Sequence, residues 1–282
     1  MSRNRNKRRW IVLAAAAVLL VALAFAAFDT RLAVRTYTID AEDMDVDIRI
    51  ALLTDLHSCY YGAGQMDLLE ELIRQDPHIV LLGGDIFDDE LPDDNTASLL
   101  RNISRTFRRC YYVSGNHEYW AGKEAFNEKM AILEQCGIPV LSGEARGLEI
   151  QGKYIAICGV ADPEARLLDE DFSYEAQLDA MDDAFKYCDY TMLLAHRPEY
   201  FDTYAEYGFD LVFSGHAHGG QWRIPGILNG LCAPNQGFFP KYAGGKYEKD
   251  GTTMIVSRGL ARESTRVPRI FNRPELVIVD LI

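Results

Sequence analysis

The stretch Ile48-Arg-Ile-Ala-Leu-Leu-Thr-Asp-Leu-His57 decides the architecture: a short, mostly aliphatic run passes directly into an Asp-x-His pair. A run of this length and composition reads as a central strand, with polar chemistry placed at its carboxyl end. Downstream the pattern alternates. Residues 66–75 carry Met66, Leu69, Leu72 and Ile73 at helical spacing and stop at Asp76-Pro77. Residues 79–82 form a second strand, 99–107 a helix, 111–113 a third strand and 125–136 another helix. That last helix places Phe126, Met130 and Leu133 on one face and Gly137 at its end.

Further on, the pattern shifts. Residues 148–150 and 154–158, joined through Gln151-Gly152-Lys153, read as a β-hairpin. A helix over 174–187 and strands at 190–194, 211–213, 253–256 and 276–281 complete the set. Several βα units with added antiparallel strands predict a layered α/β sandwich.

The amino terminus reads as an address. Arg3, Arg5, Lys7, Arg8 and Arg9 precede an unbroken apolar run over residues 11–28. As a helix that run is about 27 Å long, close to the roughly 30 Å of a bilayer core. We read residues 1–34 as a basic tail and uncleaved transmembrane anchor, with Ala24-Phe25-Ala26 as the alternative, a small-residue cleavage site. Residues 35–47 read as a linker and 48–282 as the catalytic domain. The basic cluster should stay in the cytoplasm, which puts the domain on the extracytoplasmic side of the cell membrane.

The net charge is −13, and residues 11–282 carry 24 basic against 42 acidic groups, a net −18. So acidic a body argues against nucleic acid as a partner. It leaves room for a small anionic substrate, because bound cations can dominate the field of a cleft. The six cysteines show no CxxC pair and read as small buried hydrophobes.

Five segments follow predicted strands: Asp55-Leu-His57, Gly84-Asp-Ile-Phe-Asp88, Gly115-Asn-His-Glu118, Ala195-His196 and Gly215-His-Ala-His218. Open α/β sheets collect ligands at this end of the strands. Five of the six histidines lie in these segments, which is hard to reconcile with scattered core imidazoles. In Asp-x-His and His-x-His, residues i and i+2 of an extended chain share one side, so both can reach one cation. Imidazole, carboxylate and amide oxygen together suit zinc, manganese or iron.

The ordered set resembles the calcineurin-like metallophosphoesterases. The continuation Gly215-HAHGGQWRIP225, with Ser257-Arg-Gly-Leu260 and Arg269-IFNRPE275, is similar to the membrane-associated bacterial YkuE/YaeI-like branch. The resemblance implies a four-layer α-β-β-α sandwich and two divalent metal ions (Mn, Zn or Fe). It gives one ion to Asp55, His57, Asp85 and His218, and the other to Asp85, Asn116, His196 and His216, with Asp85 as the bridge. His117 would be the general acid and Asp88 would orient its ring. The implied activity is hydrolysis of a phosphate ester, a phosphodiester first, lipid-linked or of the cell envelope, by metal-activated water. No protein partner is implied. Leu260-Ala261-Arg262 departs from the small, Gly-rich run of the pattern, which bears on pocket shape.

The residues leave other readings open. A non-catalytic, membrane-anchored metal-binding module could keep the fold, although such a module would not need both the ligand set and His117. A zinc peptidase would be expected to carry HExxH. Glu118 reads as support for its loop, and His78 as an ordinary structural residue. Gln221, Arg258 and Arg269 either contact substrate or serve the structure. The Phe238-Phe239 pair and the nearby tyrosines either face lipid or fill the core.

Overall fold

The computed structural model describes residues 2–41, 44, 47–181, 187–262 and 267–282, with the backbone alone for 2–6. Two stacked sheets form its centre. The first takes β1 (Ala33–Ile39), β2 (Ile48–Leu53), β3 (Ile79–Gly83), β4 (Cys110–Val113) and β13 (Glu275–Leu281), in the order β1-β13-β2-β3-β4. The second takes β5 (Glu144–Ile150), β6 (Lys153–Gly159), β7 (Tyr190–Leu194), β8 (Leu211–Ser214), β11 (Gly245–Lys249) and β12 (Thr252–Val256), in the order β11-β12-β8-β7-β6-β5, while the short β9 (Cys232–Ala233) and β10 (Gly237–Phe238) pair with each other. Strands β2, β3 and β4 are parallel, as are β6, β7, β8 and β12. Their carboxyl ends therefore gather along one rim.

Strand alternation builds the layers. Ile48, Ile50 and Leu52 of β2 pack inward with Ile155, Ile157, Met192, Leu194 and Phe213 of the opposite sheet. Ala51 and Leu53, on the other face, pack against α2 (Met66–Gln75), α3 (Asp94–Thr106) and α5 (Lys123–Cys136) through Leu69, Leu72, Leu100 and Leu133. The far face of the second sheet, with Leu193, Val212 and Met254, is covered by α6 (Tyr174–Asp179) and α7 (Phe201–Tyr207). The result is the α-β-β-α sandwich.

Several elements depart from the sequence reading. Residues 33–39 form a strand inside the segment read as anchor and linker. β1 is an edge strand with exposed positions, so its residues lack the continuous apolar run of a central strand, yet all seven pair with β13. Helix α3 begins at Asp94, ahead of the apolar stripe. In α2 the buried set is Leu68, Leu69 and Leu72, while Met66 and Ile73 are exposed, so the core-facing stripe is rotated from the one read. The hairpin turn is the two residues Gln151 and Gly152, both at positive φ as a type I′ turn requires, and Lys153 already belongs to β6. Of the helix read over 174–187, residues 174–179 are helical and 182–186 lie outside the described residues.

Helix α1 (Ser2–Ala27) is long and apolar enough to cross a membrane, and its side chains from Lys7 to Ala26 are exposed. It ends against the domain: the Phe271 amide donates to the Ala27 carbonyl at 2.7 Å, and Arg273 donates to the carbonyls of Arg31 and Leu32.

Candidate metal centre

The loops leaving β2, β3, β4, β7 and β8 carry the predicted site residues to one place. Asp55 and His57 follow β2, Asp85 and Asp88 follow β3, and Asn116 and His117 start the short helix α4 (Asn116–Trp120) after β4. His196 follows β7, and His216 and His218 follow β8. The backbone there is not extended. Asp55, His57, Asp85, His216 and His218 all have φ between 46° and 63°, a region costly for residues with a Cβ. The i, i+2 argument from an extended chain therefore fails for these pairs. The chain turns sharply at each strand end, and strain of this kind concentrates where function over-determines geometry.

Among the described residues three groups of donor atoms lie within 4.8 Å of one another: His57, Asp88 and His117 form one, and the predicted ligands form the other two, Asp55, His57, Asp85 and His218, and Asp85, His196 and His216. Asp85 belongs to both. Its Oδ2 lies 3.1 Å from Nε2 of His196 and 3.7 Å from Nε2 of His57. The other oxygen, Oδ1, accepts the His117 amide at 2.9 Å, and Oδ1 of Asp55 accepts the His216 amide at the same distance. Each carboxylate thus has one oxygen fixed and one left over.

Those leftover atoms are the test of a metal. Asp55 Oδ2, Asp85 Oδ2, Asn116 Oδ1, His57 Nε2 and His196 Nε2 are buried without a hydrogen-bond partner. One such atom costs about 1–3 kcal/mol. Five converging in one place make sense as lone pairs arranged for cations, and nitrogen with hard oxygen donors fits a divalent metal centre.

The surrounding contacts set which nitrogen is presented. Nδ1 of His57 faces Asp88 Oδ2 at 3.0 Å, Nδ1 of His196 faces the Gly83 carbonyl at 2.8 Å, and Nε2 of His216 faces Asn235 Oδ1 at 2.8 Å. Asp88 and the Gly83 carbonyl are acceptors and so hold His57 and His196 through Nδ1, with Nε2 turned toward Asp85. Nε2 of His216 is instead shared between Asn235 and Arg197 Nη1, the latter at 3.0 Å. Asn235 is in turn held by Arg197 Nη1 at 2.6 Å, and Arg197 is locked to Asp162 at 2.5 and 2.9 Å. Sequence reading missed Arg197, Asp162 and Asn235, which lie outside the motifs. The only signal available was an arginine directly after His196, ahead of a proline.

Glu118 supports its loop, as read. Fully buried, it accepts the amides of Asp85, Ile86, Phe87 and Gly115 and so ties the loop after β3 to the one after β4.

Without metal the electrostatics are strongly coupled. Burial pushes the Asp85 carboxyl up, but His196, His117 and His57 outweigh it and hold it well below the usual range. Burial pulls His196 down, yet Asp85 and Asp55 raise it to about 10. His216 and His218 are held well below the ordinary imidazole value, chiefly by burial, with His196 and Arg197 beside the first and His57 and Arg269 beside the second.

The pairing read for His117 needs correction. Its Nδ1 sits 2.5 Å from Asp89 Oδ1 and 3.9 Å from Asp88 Oδ2. Asp88 instead holds His57, and its Oδ1 accepts the amides of Glu90 and Leu91. The turn after Asp88 swings the next carboxylate toward α4. His57, His117, His218, Trp120 and Gln221 line a cleft of about 480 Å³. Arg258 and Arg269 serve the structure: Arg258 pairs with buried Glu275, and Arg269 donates to the Arg258 carbonyl. Phe238 and Phe239 are exposed, whereas Tyr242 is buried.

Comparison with known proteins gives a consistent picture. The family described as calcineurin-like phosphoesterase matches residues 48–220. An uncharacterized metallophosphoesterase of Aquifex aeolicus is 30% identical over 260 residues, covering 89% of this chain and 92% of that one. One from Helicobacter pylori is 32% identical over 225 residues; the match covers 77% of this chain but only 55% of that longer protein. The Escherichia coli protein named phosphodiesterase YaeI is 27% identical over 250 residues, covering 86% of this chain and 84% of it.

Proposed function

The chain belongs to the calcineurin-like phosphoesterase family and is a metal-dependent phosphoesterase; we propose that it is a membrane-anchored phosphodiesterase. Asp55, His57, Asp85 and His218 hold one divalent cation, and Asp85, Asn116, His196 and His216 a second. The observation that carries this reading is the single buried oxygen Asp85 Oδ2, which has no hydrogen-bond donor and lies 3.1 Å from Nε2 of His196 and 3.7 Å from Nε2 of His57. Divalent cations bound there (Mn, Zn or Fe) would supply Lewis acidity for water activation and for the charge on the phosphoryl oxygens.

The chain's own groups do the rest. Asp89 fixes the His117 ring through Nδ1, which leaves Nε2 to hand a proton to the leaving oxygen as the P–O bond breaks. Trp120 packs 4.8 Å from the His117 ring and restricts its swing. Preference for a diester is supported by the name of the YaeI relative. Helix α1 supports anchoring, and the basic residues at its amino end support an extracytoplasmic domain. A lipid-linked or envelope phosphate ester suits a site tethered in this way.

The test uses the full chain in detergent, stripped with a chelator and assayed on bis-p-nitrophenyl phosphate and p-nitrophenyl phosphate with Mn²⁺, Zn²⁺ or Fe²⁺ restored. Metal-dependent turnover that is lost in Asp85→Asn and is faster on the diester is the expected result. Faster monoester turnover would refute the diesterase reading, and metal-independent turnover would refute the two-cation site.

A further inference from the structure

We propose that the loop layer over residues 222–239 is a membrane-seating surface, which presses into the headgroup region of an anionic bilayer beside the exit of α1. The proposal rests on the reading of α1 as a membrane anchor. Its first support is exposure: Ile227 is 85% exposed, Phe238 73% and Phe239 69%, with Ile224 and Trp222 also on the surface. Large apolar side chains grouped in one loop layer mark an interaction surface more than ordinary scatter does. Phe239 is moreover held at φ 57°, a strained conformation for an aromatic residue that gains no burial from it.

Position identifies the occupant. The Ala27 carbonyl, at the end of α1, accepts the Phe271 amide. The neighbouring Ile270 exchanges backbone hydrogen bonds with Gln221 and Arg223, and the Trp222 indole donates to the Pro268 carbonyl. Leu231 then bonds back to Trp222, and Phe239 to Leu231. An unbroken set of backbone contacts thus runs from the last turn of the apolar helix to the exposed phenylalanines. A bilayer that receives α1 meets this layer next.

Charge agrees. From residue 211 to residue 247 the chain contains no acidic residue, although its net charge is −13; the charged side chains there are Arg223, Lys241 and Lys246. The rest of so acidic a body would be repelled by anionic headgroups, and this surface would not. The same segment supplies Gln221 and Pro234 to the wall of the metal cleft, whose rim also carries exposed Trp120 and Val267. Seating the layer in the headgroups would bring the cleft to phosphate esters at that depth. Trp, Phe and Ile beside basic residues are the composition of such interfacial contacts.

The chain has three tryptophans, so Trp10→Phe with Trp120→Phe leaves Trp222 as the sole reporter in the full protein. It is reconstituted in phosphatidylcholine–phosphatidylglycerol vesicles carrying bromines high on the acyl chain. Loss of Trp222 emission is expected, and adding Ile227→Asp with Phe238→Asp should abolish that loss; in the otherwise native chain, with Trp120 intact, the same pair should leave soluble diester turnover unchanged. A companion with Trp10 alone reports on the anchor. Trp10 quenched with Trp222 untouched would overturn the seating surface and leave the anchor standing. Neither quenched would remove both, and metal-dependent turnover of the native chain, with Trp120 intact, reports the catalytic reading separately. Cross-linking of two copies through this layer, with Trp222 silent to bromine, would assign it to self-association and likewise overturn the proposal.

Discussion

Asp89 accepts the hydrogen bond from Nδ1 of His117 at 2.5 Å, while the adjacent Asp88 serves His57 at 3.0 Å. Two neighbouring carboxylates thus support two different histidines, one the proposed general acid and the other a proposed metal ligand. Their substitutions should separate cleanly. Asp89→Asn is expected to lower kcat by about tenfold or more on an alkyl diester, part of what a general acid supplies, with metal affinity unchanged. On a p-nitrophenyl ester, whose leaving group needs little protonation, the same variant should lose much less. Asp88→Asn should instead weaken metal binding by about 10–100-fold and regain activity at saturating metal. Steady-state rates on both leaving groups across a metal titration decide this, and the reverse pattern would return Asp88 to the role read from sequence.

A second prediction concerns protons and metal. In the metal-free protein His196 titrates near 10, raised by Asp85 against the effect of burial. Because the folded value lies above the ordinary one of about 6.5, this pair contributes stability in full below roughly pH 6.5 and loses it as pH rises through 10. A cation needs the lone pair that the proton occupies, so binding near neutral pH must expel a proton. Metal affinity should therefore climb with pH up to about 10, and calorimetry in buffers of different ionisation enthalpy should show proton release on binding. A binding heat independent of buffer would mean that His196 is already neutral.

The fold was legible where side chains report burial on both faces. β3 is aliphatic and buried along its length, and β2 and β7 are largely apolar, with Arg49 and Thr191 as interruptions, so each announces itself. β1 did not, because an edge strand half in solvent carries Arg35 and Thr36 where a central strand carries leucine. The donor set was legible because metal chemistry restricts residue types, so Asp, His and Asn at strand ends stood out. Its supporting contacts were not, since any acceptor can hold an imidazole N–H, and here a carbonyl, a carboxylate and an amide do so for three rings. The choice between Asp88 and Asp89 turns on loop conformation, which two consecutive aspartates cannot disclose.

The chain from Asp162 through Arg197 and Asn235 to His216 gives the third prediction. Arg197 and Asp162 are almost fully buried, with side chains 4% and 0% exposed. Arg197→Met would leave the Asp162 charge unpaired, and loss of one partner of a buried pair costs about 3–5 kcal/mol, so the metal-free protein should melt markedly earlier. Asn235→Gly removes the oxygen that the His216 ring and Arg197 Nη1 share but leaves the Arg197–Asp162 pair in place, and glycine tolerates the φ of 58° at that position. Its metal-free melting temperature should barely move, while affinity for the cation held by His216 falls about 10–100-fold because the ring is no longer oriented. Thermal melts of both stripped variants, followed by metal titration, test the arrangement. If Asn235→Gly binds metal as the parent does, His216 is oriented by packing and its direct contact with Arg197, and the Asn235 link is incidental to the site.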